Sequence, residues 1–161
     1  MAVSVSRENL IRDEERRWKS MTHIQDIICE TQGDIFKCAN ELKLDMDVFV
    51  PAYMKSRFCE KSMDTVYSPF QMADAEECLD FILAEIDVPK IKKIKYKPTI
   101  IEWIGYTYRQ LYFALGKSSR EIIDKVSFTS MLVYYPGLHT VDEDMAVDII
   151  NEDKFLRCQN G

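Results

Sequence analysis

The chain has 161 residues, 47% of them hydrophobic and 30% charged, with a net charge of −6. That length fits one domain with a core of its own, and the content of 5 Gly and 5 Pro excludes a turn-rich all-β fold. The acidic balance disfavours nonspecific attachment to nucleic acid or an anionic membrane and suits a basic protein partner.

Residues 1–6 carry no pattern and are expected to fray. From Ser6 onward Glu8 precedes Arg12, and Asp13 precedes Arg16 and Arg17, at helical spacing that supports an exposed helix by a few tenths of a kcal/mol per pair. Ile11, Trp18, Met21, Ile24, Ile28, Ile35, Ala39 and Leu42 continue a three-or-four spacing, which predicts one long helix or two nearly collinear ones. Gly33 is the expected break, because glycine costs about 1 kcal/mol in a helix interior.

Asp45 or Asp47 can cap a second helix over 48–63, with Pro51 close to its start. Residues 64–69 read as a turn. An amphipathic helix follows from Phe70 to Ile86, with Phe70, Ala73, Glu77, Phe81 and Ala84 on one ridge and Cys78, Ile82 and Ile86 on the next. Residues 87–98 hold five lysines and one acid, about +4 against about −10 for the rest of the chain. The imperfect alternation of Ile91 to Tyr96 predicts an extended connector with its two isoleucines tucked down.

Thr99 to Gly116 is apolar on most of its faces, which marks a central helix. Ile100, Ile104, Tyr108, Leu111 and Leu115 form one stripe, with Ile101, Gly105, Tyr108 and Tyr112 beside it. Glu102, Tyr106, Arg109, Gln110 and Phe113 trace a narrow, partly polar line. Gly105 would let a neighbouring helix approach closely, and Gly116 ends the segment.

Ser118 and Glu121 make a capping box for a short helix through Val126. Ser127 or Thr129 can cap a further one through Tyr135, and Pro136-Gly137 reads as a turn. Thr140 to Glu143 is a second capping box before a last amphipathic helix through Ile150. Residues 153–161 read as a flexible tail in which Phe155 and Leu156 could dock. The expectation is a single all-α domain over 1–161, a compact bundle of about six to eight helices around 99–116.

Cys29, Cys38, Cys59, Cys78 and Cys158 are odd in number and never spaced C-x-x-C, so neither a disulfide framework nor a zinc site is indicated. With no signal-peptide pattern and no run long enough to span a membrane, the sequence reads as cytoplasmic. No metal or cofactor is expected. Two constellations could carry chemistry. Trp103, Tyr106, Tyr108 and Arg109 crowd one helix, where Glu102, Tyr106 and Arg109 can form a hydrogen-bonded ladder, either as an anion clamp with a tyrosine acid or as a structural element around a buried arginine. His139 stands three residues before Asp142 and could be an oriented base, although no nucleophile is marked nearby.

The segments EWIGYTYRQLYFALGKSSREI and YYPGLHTVDEDMAVDII, preceded by YMKSRFCEKSMD and YSPFQ, resemble a family of small, helical bacterial proteins. These share a Trp-x-Gly-Tyr-x-Tyr-Arg helix, carried here by Trp103, Gly105, Tyr106, Tyr108 and Arg109. They also share a Gly-x-Ser-Ser turn, here Gly116, Ser118 and Ser119, and a His-Thr-x-Asp segment, here His139, Thr140 and Asp142, before a final helix containing Ala146. The resemblance spans 49–150 and implies an antitoxin or accessory partner of an ADP-ribosyltransferase-like toxin, with Trp103, Tyr106, Tyr108, Arg109, His139 and Asp142 as candidate interaction residues. A small enzyme that removes a modification from a Tyr/Arg/His pocket is one alternative. A DNA-binding autoregulator using Lys90 to Lys97 is another, and a homodimer is compatible with each.

Overall fold

The computed structural model describes the backbone of residues 7–157, and side chains from His23 onward. Seven α-helices form the chain among these residues: α1 (Arg7–Glu41), α2 (Met46–Met54), α3 (Ala75–Glu85), α4 (Pro98–Leu115), α5 (Ser119–Lys125), α6 (Phe128–Leu138) and α7 (Glu143–Asn151). Two π-helical turns, Cys59–Met63 and Glu152–Leu156, and a 3-10 turn, Pro69–Met72, complete them. The expected all-α bundle is therefore what the described residues form, with no strand beyond an isolated Leu44–Lys90 bridge.

The bundle is assembled on the α1–α4 pair, the most extensive helix contact, and α4 also packs on α5, α6 and α7. Two glycines set how close that pair comes. A Cβ added at Gly105 would lie 2.8 Å from the Gln32 carbonyl oxygen and 3.0 Å from the Gly33 Cα, and one at Gly33 would lie 2.9 Å from the Glu102 carbonyl oxygen. Backbone meets backbone here, a contact that only glycine permits on both helices. This overturns the expected break at Gly33: α1 runs through it without interruption, some 52 Å at 1.5 Å per residue. The helix tolerates the glycine because tertiary packing outweighs its intrinsic cost.

Around this crossing the core is aromatic. Phe36 of α1 meets Phe49 and Tyr53 of α2 edge-on, at centroid distances of 5.8 and 5.2 Å, and Ile101, Ile104, Tyr108 and Leu111 of α4 are fully buried. α1 ends with Lys43 in the left-handed region at φ 62°, where glycine usually sits. Asp45 caps α2 by accepting from the Asp47 N–H.

Several boundaries differ from the sequence reading, each for a local reason. The helix expected from Phe70 starts at Ala75, because Ser68 and Gln71 close a capping box around a separate 3-10 turn and Ala73 is extended at ψ 165°. On α3 the buried ridge is Cys78, Leu79 and Ile82, while Phe81 of the other ridge is exposed. The segment expected to continue as one helix to 63 breaks after Met54, where Glu85 accepts hydrogen bonds from the Arg57 and Phe58 N–H groups. Pro136 and Gly137 lie within α6 rather than in a turn, since Ser127 sets the helix start and proline needs only one missing donor near its end. Asp142, not Thr140, caps α7.

The lysine-rich connector is neither helix nor strand apart from the isolated Leu44–Lys90 bridge, bends at residues 92–93 and 96, and is tied down at both ends. Ile91 N–H donates to the Lys43 carbonyl at 2.8 Å, Asn40 Nδ2 donates to the Tyr96 carbonyl at 3.0 Å, and the Tyr96 hydroxyl donates to Asp47 at 2.8 Å. Ile94, expected to tuck down, stays exposed. Of the expected tail, Phe155 docks into the core from the second π-helical turn; residues 1–6 and 158–161 lie outside the described residues. No helix among the described residues is long and apolar enough to cross a membrane.

Candidate functional site

Arg109 is the largest fully buried side chain, at 0% exposure. The helical wheel puts its Cα on the polar line of α4. Its long stem, however, crosses toward the Gly105 flank, where α1 is close enough to receive it. Gln32 Oε1 accepts from Nε at 3.0 Å and from Nη2 at 2.8 Å. Asp64 Oδ1 accepts from Nη1 at 2.7 Å, and the Met63 carbonyl does so at 3.3 Å. Ser119 Oγ and Cys59 Sγ accept from Nη2 at 3.2 and 3.3 Å. The guanidinium plane lies over the Tyr112 ring, 4.7 Å from its centroid, in cation–π geometry.

The surrounding groups are fixed in turn. Gln32 Nε2 donates to the Gly105 carbonyl at 2.8 Å and Tyr53 donates to Gln32 Oε1 at 2.9 Å, so the glycine crossing and the arginine site share one residue. Asp64 also accepts from the Ser119 backbone N–H at 2.7 Å and from its hydroxyl at 2.6 Å. The first π-helical turn aims both the Met63 carbonyl and Asp64 at the guanidinium. Among the described residues no buried side-chain nitrogen or oxygen lacks a partner. Burial alone would lower the Arg109 pKa, but the Asp64 carboxylate against Nη1 pushes it up, and it stays charged. Burial likewise pushes the Cys59 thiol up, so the arginine's sulfur neighbour is a neutral thiol. An arginine whose donors are all engaged cannot clamp a substrate anion; this one organises α1, α4, α5 and the 59–64 turn.

The other sequence candidates do not join it. The Glu102–Tyr106–Arg109 ladder is absent, because Glu102 pairs with Lys37 at 3.5 Å and the Tyr106 hydroxyl lies 3.0 Å from Asp26 and 2.9 Å from Glu143. Burial and those two acceptors push the Tyr106 pKa upward. Tyr108 is buried and donates to the Val126 carbonyl at 2.8 Å. Trp103 packs edge-on against Tyr135 at 5.6 Å. His139 stacks on the same Tyr135 ring at 4.3 Å, and its Nδ1 lies 2.6 Å from the Tyr135 carbonyl, which makes Nδ1 the protonated nitrogen. Asp142 accepts from the Asp144 N–H at 3.1 Å. Arg109 and His139 line none of the described cavities together.

What the surface does offer is two cavities that meet only at Gln25 and Phe113. The larger, about 730 Å³, is floored by Ile24, Ile28, Tyr112 and Phe113 and rimmed by Val66, which is 100% exposed. Asp64, Thr65, Lys117, Ser118 and Glu121 line it too; Asp64 is held by Arg109, and Ser118 with Glu121 caps α5. The second, about 360 Å³, is lined by Asp26, Gln110, Asp144 and Asp148. Asp26, Gln32, Asp64 and Ser119 were not legible as site residues; the pairing of Gly33 with Gly105 was the one signal that α1 presses on α4 there. Comparisons with protein-family models, curated proteins and solved structures find no match to this chain.

Proposed function

We propose that the chain is a non-enzymatic protein-binding module, an antitoxin-like regulatory partner of a co-encoded bacterial toxin of the ADP-ribosyltransferase type. The observation that carries this reading is the large open cavity floored by Ile24, Ile28, Tyr112 and Phe113. Clefts of that kind hold side chains of another macromolecule at least as readily as they hold a reacting substrate. The full engagement of Arg109 supports the same conclusion, because it removes the anion clamp that an enzymatic reading needs. The toxin partner itself comes from the sequence resemblance, and the net charge of −6 suits a basic nucleotide-binding cleft as the surface to be covered.

Co-expression with the product of the neighbouring gene is the direct test. A stable complex on affinity capture and relief of the growth arrest caused by that product alone are expected. The absence of both complex and relief would overturn the proposal.

A further inference from the structure

The larger cavity carries a projection on its own rim. Val66 is fully exposed and Tyr67 beside it is 76% exposed, yet the loop that presents them is braced from within. The buried Gln71 side chain donates to the Thr65 carbonyl at 2.9 Å and to the Met63 carbonyl at 3.4 Å, and it accepts from the Ser68 N–H at 3.1 Å. At the foot of the loop Asp64 is fixed by Arg109 at 2.7 Å. A loop held in this way keeps its two side chains in water with little freedom to turn them inward, so the ordering cost of a contact is already met. The apolar floor stands next to them, and Ile24 on it is half exposed. Projection and recess of one character thus share one face, which is what a two-fold pair of identical surfaces requires, since each copy must offer both halves of the contact.

The charges on that face are self-complementary as well. Lys117 and Glu121 both line the cavity, and neither has an ion-pair partner among the described residues. Capping of α5 engages only Oε1 of Glu121, which leaves Oε2 for a cation. Resting on the protein-binding reading of this cavity, we propose that its occupant in the free chain is a second copy of the chain. Val66 of each copy enters the cavity of the other, and Lys117 of each pairs with Glu121 of the other across the two-fold axis. The buried apolar contact supplies the affinity and the crossed ion pairs fix the orientation. A different protein partner then gains the cavity only by displacing the second copy.

Sedimentation velocity of the full chain over a range of concentrations is the test, and a reversible monomer–dimer equilibrium is expected. Val66→Asp replaces a fully exposed side chain, so it should leave the far-UV circular dichroism and the Tm unchanged while weakening self-association at least about tenfold. Lys117→Glu and Glu121→Lys should each be monomeric, because each sets like charges against one another in the dimer, and an equimolar mixture of the two should dimerise as the wild type does. A chain that stays monomeric up to submillimolar concentration, a dimer that Val66→Asp leaves intact, or folded charge variants that fail to restore each other on mixing would overturn the inference. The co-expression capture separates it from the broader reading. A partner captured by a chain that is monomeric on its own overturns the second-copy assignment and leaves the protein-binding role. A dimer that answers to these variants, with no captured partner, supports the assignment and overturns the role as a toxin's partner.

Discussion

Replacing Gly105 by alanine adds one methyl group at the point where two helix backbones touch. That carbon would sit 2.8 Å from the Gln32 carbonyl oxygen, 2.9 Å from Phe36 Cγ and 3.0 Å from Gly33 Cα, whereas ordinary contacts start at 3.4 Å. The nearest atoms belong to backbone or to the root of a buried ring, so none can swing aside, and α1 must back away by about half an ångström. Overpacking of this kind costs about 1–3 kcal/mol, and the strained Gln32–Gly105 hydrogen bond adds up to about 1 kcal/mol. Better helix propensity returns about 1 kcal/mol. The expected net loss is about 0–3 kcal/mol, or a Tm lower by up to roughly 12 °C for a chain of this size. Gly105→Leu should lose at least as much. Gly137 lies near the end of α6 with nothing within 4 Å of an added Cβ, so Gly137→Ala should gain about 0.5 kcal/mol, and Lys93→Ala on the exposed connector should change nothing measurable. Urea unfolding followed by far-UV circular dichroism reads all four variants. If Gly105→Ala were as stable as Gly137→Ala, the close crossing of α1 and α4 would be refuted.

Three further outcomes are expected. Arg109→Met leaves the Asp64 carboxylate without its ion pair and should cost about 3–5 kcal/mol, and Arg109→Lys should rescue little of it because one ammonium cannot reach Gln32, Asp64 and Ser119 together; a full rescue in thermal melts would contradict the fork geometry. Burial pushes the Cys78 thiol from 9.0 to about 11, so the folded state holds a proton that the unfolded chain releases. Its contribution is fully present below pH 9, fades as pH climbs, and is gone above the folded value. Cys78→Ala should therefore flatten the loss of stability between pH 9 and pH 11, and an unchanged slope in pH-dependent denaturation would count against this account. Lys43→Gly relieves a side chain held at φ 62° and should stabilise the chain by about 0.5–1 kcal/mol in the same urea assay.

The sequence carried the helices because their signals are local. The stop at Gly116, the Ser118–Glu121 box and the apolar wheel of α4 each depend on residues within a turn or two of one another, and each appears in the structure. The misplaced boundaries share a different origin. Glu85 ties off the segment around Arg57 from 28 residues away, and no spacing rule relates those two positions. Gly33 misled for the same reason: its role is visible only once Gly105 stands opposite, on a helix the sequence does not place. Arg109 was legible as an arginine in unusual company, and burial was one of the two roles open to it. Its partners were not, because Gln32 and Asp64 carry no pattern that distinguishes them from solvated side chains, and Ser119 stood out only as part of a turn. The larger cavity belongs to the same class of feature, since it is the space left between α1, α4, residues 64–66 and the start of α5, and spaces have no residues of their own.

The guanidinium junction also constrains the order in which the molecule can be made. Its acceptors are scattered along the chain, Gln32 standing 77 residues and Asp64 45 residues ahead of Arg109, with Ser119 a further 10 beyond. During vectorial synthesis the early acceptors leave the ribosome long before the cation that neutralises them. They must stay hydrated, and α1 and α2 must stay loosely apposed, until α4 and the start of α5 have emerged. Dehydration of the junction is therefore a late, concerted event that no truncated product can complete, and a nascent chain stalled before Ser119 presents an open seam to whatever chaperone or protease meets it first.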